Sequence, residues 1–228
     1  HVQWNFPGAT PASSQKLNPS AVNYSSNGAY KINVAIGNQC DTAYDTAKVK
    51  IYDKPDPKAG NDTFVCYGNK VNLGDTVTGG SKPYNYHWSP AATVANKNAL
   101  KTVASPGKST KYIFKVTDDN SCVNWDTVEV KVNPELNANA GNDQFICYDS
   151  STVLNGSATG GTPGYDFTWS PTADLQDSTI AAPATDRMQS NHTFYLHVSD
   201  SNQCTAMDSV NIDVNSPVSV DAGNDDTV

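Results

Sequence analysis

Short runs of apolar residues, alternating or continuous, recur along the chain and are cut off by turn-forming residues. Val71-Asn72-Leu73, Tyr84-Asn85-Tyr86-His87-Trp88, Tyr112-Ile113-Phe114-Lys115-Val116 and Thr127-Val128-Glu129-Val130-Lys131-Val132 follow in order, with Gly79-Gly80, Ser89-Pro90 and Asp118-Asp119-Asn120 as punctuation. The series returns as Val153-Leu154, Tyr165-Asp166-Phe167-Thr168-Trp169, Phe194-Tyr195-Leu196-His197-Val198 and Val210-Asn211-Ile212-Asp213-Val214. A period of two over so few residues is that of a strand with one face buried, and no stretch carries the 3.6-residue period of an amphipathic helix. Short strands at this spacing predict an all-β fold built of two-sheet sandwiches.

The strand series is part of a longer repeat. Ala59-Gly60-Asn61-Asp62 before Cys66, Ala140-Gly141-Asn142-Asp143 before Cys147, and Ala222-Gly223-Asn224-Asp225 step by 81 or 82 residues. Asn38-Gln39-Cys40, Asn120-Ser121-Cys122 and Asn202-Gln203-Cys204 form a second series with the same step. This period exceeds that of a solenoid unit, at roughly 20–50 residues, and fits a small β-sandwich domain. Phasing the series predicts a partial unit at 1–55, complete units at 56–133 and 134–216, and the opening of another from 217. Trp4 matches Trp88 and Trp169, which lie well inside their units, so the first unit is entered mid-pattern and the chain reads as a piece of something longer.

Composition narrows the setting. Thirteen Pro and fifteen Gly supply turns, while two Glu (Glu129, Glu135) and one Arg (Arg187) leave few helix formers. A net charge of −8 argues against nucleic acid and anionic membrane surfaces, which select Lys/Arg clusters. No apolar run approaches the roughly 20 residues of a membrane-spanning helix, so no membrane insertion is expected in this segment.

Each complete unit owns two cysteines at matching places, which predicts Cys66 with Cys122 and Cys147 with Cys204. Closing such loops removes unfolded-state freedom equivalent to about 4 kcal/mol each, and the compartment implied is oxidising. A metal reading of the cysteines lacks Cys-x-x-Cys spacing and a His partner. The carboxylates hold fixed offsets as well: Asp62 and Asp118 lie four before Cys66 and Cys122, and Asp143 and Asp200 four before Cys147 and Cys204. If the joined segments run parallel, each Asp pair meets at a domain end, where Asn61 or Asn142 and backbone carbonyls complete a Ca²⁺ shell of oxygens. If they run antiparallel, the pair is separated by about 25 Å of strand. The plainer alternative makes Asp62 and Asp118 turn residues accepting local backbone bonds. Ile36 stands at the matching place in the first unit, which should lack the site.

Several of these residues resemble a known family. Trp4-Asn5-Phe6, Asn18-Pro19 and Tyr24-Ser25-Ser26-Asn27-Gly28-Ala29-Tyr30-Lys31-Ile32-Asn33-Val34 resemble the Trp-x-Phe, Asn-Pro and Tyr-x-x-x-Gly-x-Tyr-x-Val pattern of polycystic-kidney-disease-type (PKD) Ig-like domains. The later units, with Ala-Gly-Asn-Asp, Cys, Gly-Gly, Trp-Ser-Pro and Asn-x-Cys, are similar to PKD-like repeats of very large Bacteroidota surface adhesins, those of gliding motility among them. The first unit departs from the pattern, with Pro7-Gly8-Ala9 where the family has Gly-Asp-Gly. The resemblance implies tandem Ig-like (PKD-type) β-sandwich domains in an extended rod, exported by the type IX route and held at the cell surface in association with the outer membrane. It implies calcium at unit ends, neighbouring repeats as the immediate partners, and a surface polysaccharide or other adhesin target beyond them. Asp45-Thr46-Ala47, Asp126-Thr127-Val128 and Asp208-Ser209-Val210 resemble the O-glycosylation acceptor of Bacteroidota secreted proteins, which would put sugars on Thr46, Thr127 and Ser209. A turn Asp before a strand residue accounts for the same tripeptides. Short Pro-bearing junctions, such as Asp53-Lys54-Pro55-Asp56-Pro57, Asn133-Pro134 and Asn215-Ser216-Pro217, favour a rod independently, because they restrict swing more than Gly/Ser tethers do.

The aromatic trios Tyr84, Tyr86, Trp88 and Tyr165, Phe167, Trp169 share one face of their strands, which is core in a sandwich; a sugar platform would be built from Tyr84 and Tyr165, nearest the loop. Trp125 has no aromatic counterpart at Ala206 and reads as a local surface or capping contact. Catalysis finds no motif: neither Gly-x-Ser-x-Gly nor His-Glu-x-x-His occurs, and an Asp pair repeated in successive units suits structure better than a single cleft. The expected function is a non-catalytic structural or adhesive segment, with an accessory spacer or carbohydrate-binding array of a secreted hydrolase as the alternative.

Overall fold

The computed structural model describes residues 1–221 and 223, and among these every regular element is a β-strand. Of the last Ala-Gly-Asn-Asp motif, Ala222, Asn224 and Asp225 lie outside the described residues. The chain packs as two compact units. One gathers His1–Asn61, Asn72–Ala104 and Lys111–Glu129; the other gathers Asp62–Val71, Ser105–Thr110 and the chain from Val130 onward. A repeat is a period of sequence and a compact unit is a body of packing, so residues 62–71 of the second repeat take their place beside the third.

In the first compact unit, the strands Ser13–Ser14, Val2–Asn5, Gly28–Gly37 and Thr42–Ile51 form one antiparallel sheet in that order. The strand Asn85–Ser89 pairs antiparallel with Thr110–Thr117, and Trp88 stands opposite Phe114. The Trp88 and Phe114 rings stack at 4.4 Å between centroids, and the Trp88 indole N–H donates to the Ala99 carbonyl at 2.9 Å, so the largest side chain of this core is buried with its one polar atom satisfied. Leu73, Tyr112 and Val116 of the same unit are buried as well.

The second unit shows the same logic. Gln144–Cys147, Thr205–Asn215, His192–Ser199 and Asp166–Ser170 lie side by side in one sheet, and Leu136–Asn139 pairs with Ser157–Gly160 in a second. Phe194, Leu196 and Val198 are buried while Tyr195 and His197 are exposed, the alternation expected of a strand with one face to the core. Each contributes about 2 kcal/mol by leaving water. Trp169 is fully buried in this cluster with Leu154 and Ile212, and its N–H donates to the Ile180 carbonyl.

The expected strands are found with boundaries shifted by a few residues, except that Val153-Leu154 makes only an isolated bridge, from Val153 to Ala184. Several short strands have no counterpart among those expectations, and two of them, Thr63–Val65 and Gln144–Cys147, carry the cysteine geometry. Both run parallel to the strand that ends their repeat: Val65 stands opposite Val132, and Cys147 opposite Asn215. Parallel partners need a long crossover, and the rest of the repeat, from Cys147 to Thr205, supplies it.

Candidate functional site

The residues that recur at the Asn-x-Cys turn assemble one compact polar site in each complete repeat. Ser121 and Gln203 have φ of 64° and 63°, the left-handed residue that closes a three-residue hairpin loop. In the second repeat, the Asp118 carboxylate accepts the Cys122 N–H at 2.8 Å and the Ser81 N–H at 2.9 Å. In the third, the Asp200 carboxylate accepts the N–H groups of Cys204 (2.9 Å), Asn202 (2.9 Å) and Thr162 (2.8 Å). Both carboxylates are buried. Burial pushes each carboxyl up, and the donors around it together pull it further down, so Asp118 and Asp200 are held below the ordinary carboxylate value.

The Gly-Gly pair before each Tyr belongs to this site. A Cβ on Gly80 would stand 2.9 Å from Asp118 Oδ2, and one on Gly161 2.7 Å from Asp200 Oδ2. Only glycine lets the backbone come that close. The first repeat has Ile36 in place of the Asp, and there Asn38 accepts the Cys40 and Asp41 N–H groups instead.

The cysteines correct the predicted pairing. Cys66 is bonded to Cys204, with 5.5 Å between Cα atoms and 138 positions between them in sequence, while Cys40, Cys122 and Cys147 are thiols. The expected Cys66–Cys122 and Cys147–Cys204 bonds fail on register. Cys147 stands opposite Asn215, at the far end of the Thr205–Asn215 strand from Cys204, and the eleven residues of that strand measure about 36 Å. Cys66 follows Val65, which stands opposite Val132, while Cys122 precedes the start of the ten-residue Val123–Val132 strand, about 33 Å away. A disulfide requires Cα atoms within about 7 Å. The bond therefore joins the second repeat to the third.

Polar contacts reinforce it. Asn133, which follows the Val123–Val132 strand and donates its N–H to the Val65 carbonyl, is almost wholly buried. Its side-chain amide donates to Asp200, and its carbonyl oxygen accepts from Thr162 Oγ1 (2.6 Å) and Asn202 Nδ2 (2.9 Å). Asp200 is thus both the hub of its own turn and the acceptor for the residue ending the previous repeat.

The same register separates the carboxylates proposed as calcium pairs. The segments do run parallel, but Asp143 accepts the Asn211 N–H at 2.8 Å, and Asn211 lies seven residues past Cys204, so Asp143 and Asp200 are about 23 Å apart along the strand. Asp62 precedes Thr63, which stands opposite Val130, equally far from Asp118 at the other end of that strand. Asn61 and Asn142 are exposed. Neither Asp pair is brought together, and Asp118 and Asp200 act as turn acceptors. Thr46 and Ser209 are exposed and Thr127 is half-buried; the Asp preceding each has its own backbone role, Asp45 accepting the Thr46 N–H, Asp126 that of Ala59 and Asp208 that of Ala140.

Of the aromatic trios, Trp88 and Trp169 are wholly buried, and Tyr86 stacks on Phe114. Tyr84 and Tyr165 are half-buried and donate their hydroxyls to the Gly79 and Gly160 carbonyls. Tyr84, Tyr86, Lys82 and Pro83 line an open cleft of about 610 Å³. The 82-residue step from Cys122 to Cys204 and from Asp126 to Asp208 matches Trp125 with Met207, not Ala206, and both side chains stand largely in solvent.

The strands, the two buried tryptophan cores and the repeated turn define a chain of tandem Ig-like β-sandwich repeats. No known family profile matches it, and neither does any curated protein. Among solved structures, a three-domain immunoglobulin fragment of titin is similar over 95% of this chain and 88% of its own, at 9% identity and a TM-score of 0.47. The eight N-terminal Ig domains of the Down syndrome cell adhesion molecule are similar over 94% of this chain and 33% of theirs, at 14% identity and a TM-score of 0.42. The PKD domain of the KIAA 1837 protein covers 38% of this chain and 92% of its own at 24% identity and a TM-score of 0.32.

Proposed function

We propose that this chain is a non-catalytic, structural and adhesive segment of a large exported cell-surface protein, in which Ig-like repeats stand in line as a rod and carry adhesive parts outward. The observation that carries the reading is the disulfide from Cys66 to Cys204 across a repeat boundary. A tie of this kind resists separation of neighbours under load, and disulfides persist in oxidising, extracellular settings. The acidic surface and turn-rich composition suit the same setting. Within this reading the chain is of the Bacteroidota adhesin type that serves surface attachment and gliding, its outer partner is a surface polysaccharide or another adhesin target, and Thr46 and Ser209 carry O-glycans. Antibody against this segment should label intact cells of the source organism, and brief external protease should remove the label. Label appearing only after permeabilisation would overturn the reading.

A second reading rests on the cleft beside Tyr84 and Tyr86: the segment is an accessory sugar-binding array of a secreted hydrolase. Binding on a glycan array that Tyr84→Ala abolishes would favour it.

A further inference from the structure

We propose that the Cys66–Cys204 bond is one rung of a series, and that the Cys147 thiol is the outgoing half of the next, closed by the hairpin cysteine of a further repeat. The inference rests on the repeat organisation and not on where the protein acts. Cys147 occupies the place of Cys66: each lies at the end of a short strand running parallel to the strand that closes its repeat. Backbone bonding continues beside each cysteine: Tyr148 donates its N–H to the Asn215 carbonyl next to Cys147, and Asn133 donates its N–H to the Val65 carbonyl next to Cys66.

The residues around Cys147 correspond by position to those around the formed rung. Cys147, Tyr148, Asn215, Ser216, Pro217 and Val218 line a cleft of about 450 Å³. Asn215 is exposed, whereas its counterpart Asn133 is 6% exposed and bonded to Asp200, Thr162 and Asn202. Val218 is fully exposed, whereas its counterpart Leu136 packs against the core of the third repeat. The occupant that fits is a hairpin of the pattern Asp-x-Asn-x-Cys, since its Asp would accept the Asn215 amide and its Cys would reach Cys147. Cys40 and Cys122 hold the hairpin place in their own repeats and are thiols.

Closure joins the two sulfurs with loss of two protons and two electrons. An exchangeable disulfide such as oxidised glutathione takes the electrons through a mixed disulfide and leaves as two reduced thiols.

The test continues residues 1–216 with a second copy of 135–216, holds the product in a glutathione redox buffer, and maps its disulfides without reduction. Cys147 should be joined to the added copy's counterpart of Cys204, with Cys66–Cys204 intact. Replacing that added cysteine with serine should return Cys147 to the alkylatable pool. Cys147 remaining a thiol in the first chain, or joining Cys122, overturns the proposal. The unextended chain gives a second test: in Cys66→Ser, the freed Cys204 should stay a thiol, and a Cys147–Cys204 bond in the folded protein would refute the register on which the series depends. Both tests are made in buffer, so their failure is distinct from failure of the surface location.

Discussion

Asp200 is the residue on which the most interactions converge. Its carboxylate takes three backbone N–H groups and the Asn133 amide while fully buried, so removing it strands several donors away from water. Asp200→Ala should cost about 2 kcal/mol or more in a urea titration; an unchanged midpoint would mean that solvent reaches the turn. The same groups set the acid limit. Asp118 and Asp200 are held below their unfolded value. As pH falls, the unfolded chain therefore takes up these protons first, and the stability they confer is fully present above the unfolded value of about 3.9 and lost as pH drops through the folded one. The melting temperature should hold steady from neutral pH to about 4 and then decline, with a shallower decline in Asp200→Asn. The carboxylate itself is legible in the sequence: an Asp four residues before Cys, after a Gly-Gly some forty residues upstream, stands in both complete repeats. What the sequence could not say is which partner the carboxylate faces, and a calcium ion and a ring of backbone donors ask for the same residue.

At the scale of elements, the glycines separate steric need from backbone freedom. A Cβ on Gly160 would lie 1.9 Å from the Glu135 carbonyl oxygen at a φ of +74°, while one on Gly68, φ +79°, meets nothing within 4 Å. Gly68→Ala should cost about 1–2 kcal/mol, the left-handed penalty alone. Gly160→Ala adds a clash with backbone that has to move, and should cost at least about 2 kcal/mol more in thermal melts. Equal effects would mean that the Leu136–Asn139 and Ser157–Gly160 pair yields easily. The central strands of each repeat were legible because their apolar residues alternate. The edge strands Thr63–Val65 and Gln144–Cys147 were not, since three or four residues with exposed Phe64 and Phe145 carry no period. Missing those two strands is what misdirected the cysteine pairing. Without the parallel register, nothing reveals that the two cysteines of a repeat lie at opposite ends of its last strand.

For the whole molecule, the consequence is that stability is shared across a repeat boundary. The disulfide closes a loop over a sequence separation of 138, and in the chain-entropy account this withholds about 5 kcal/mol of freedom from the unfolded state. Cys66→Ser should lower the melting temperature of the third repeat and let the second and third repeats melt apart, seen by calorimetry as two transitions in place of one. A single unshifted transition would mean that the non-covalent contacts of Asn133 suffice. The repeat period announced tandem sandwiches, yet its phase treated each repeat as closed upon itself, whereas the cysteines and Asn133 serve the boundary.

The pairing is also the most direct test of the account. Digestion of the alkylated, unreduced chain followed by mass spectrometry should yield one disulfide-linked peptide pair, Cys66 with Cys204, and alkylated Cys40, Cys122 and Cys147. Recovery of Cys66 with Cys122, or of Cys147 with Cys204, would contradict the parallel register and with it the boundary-spanning bond.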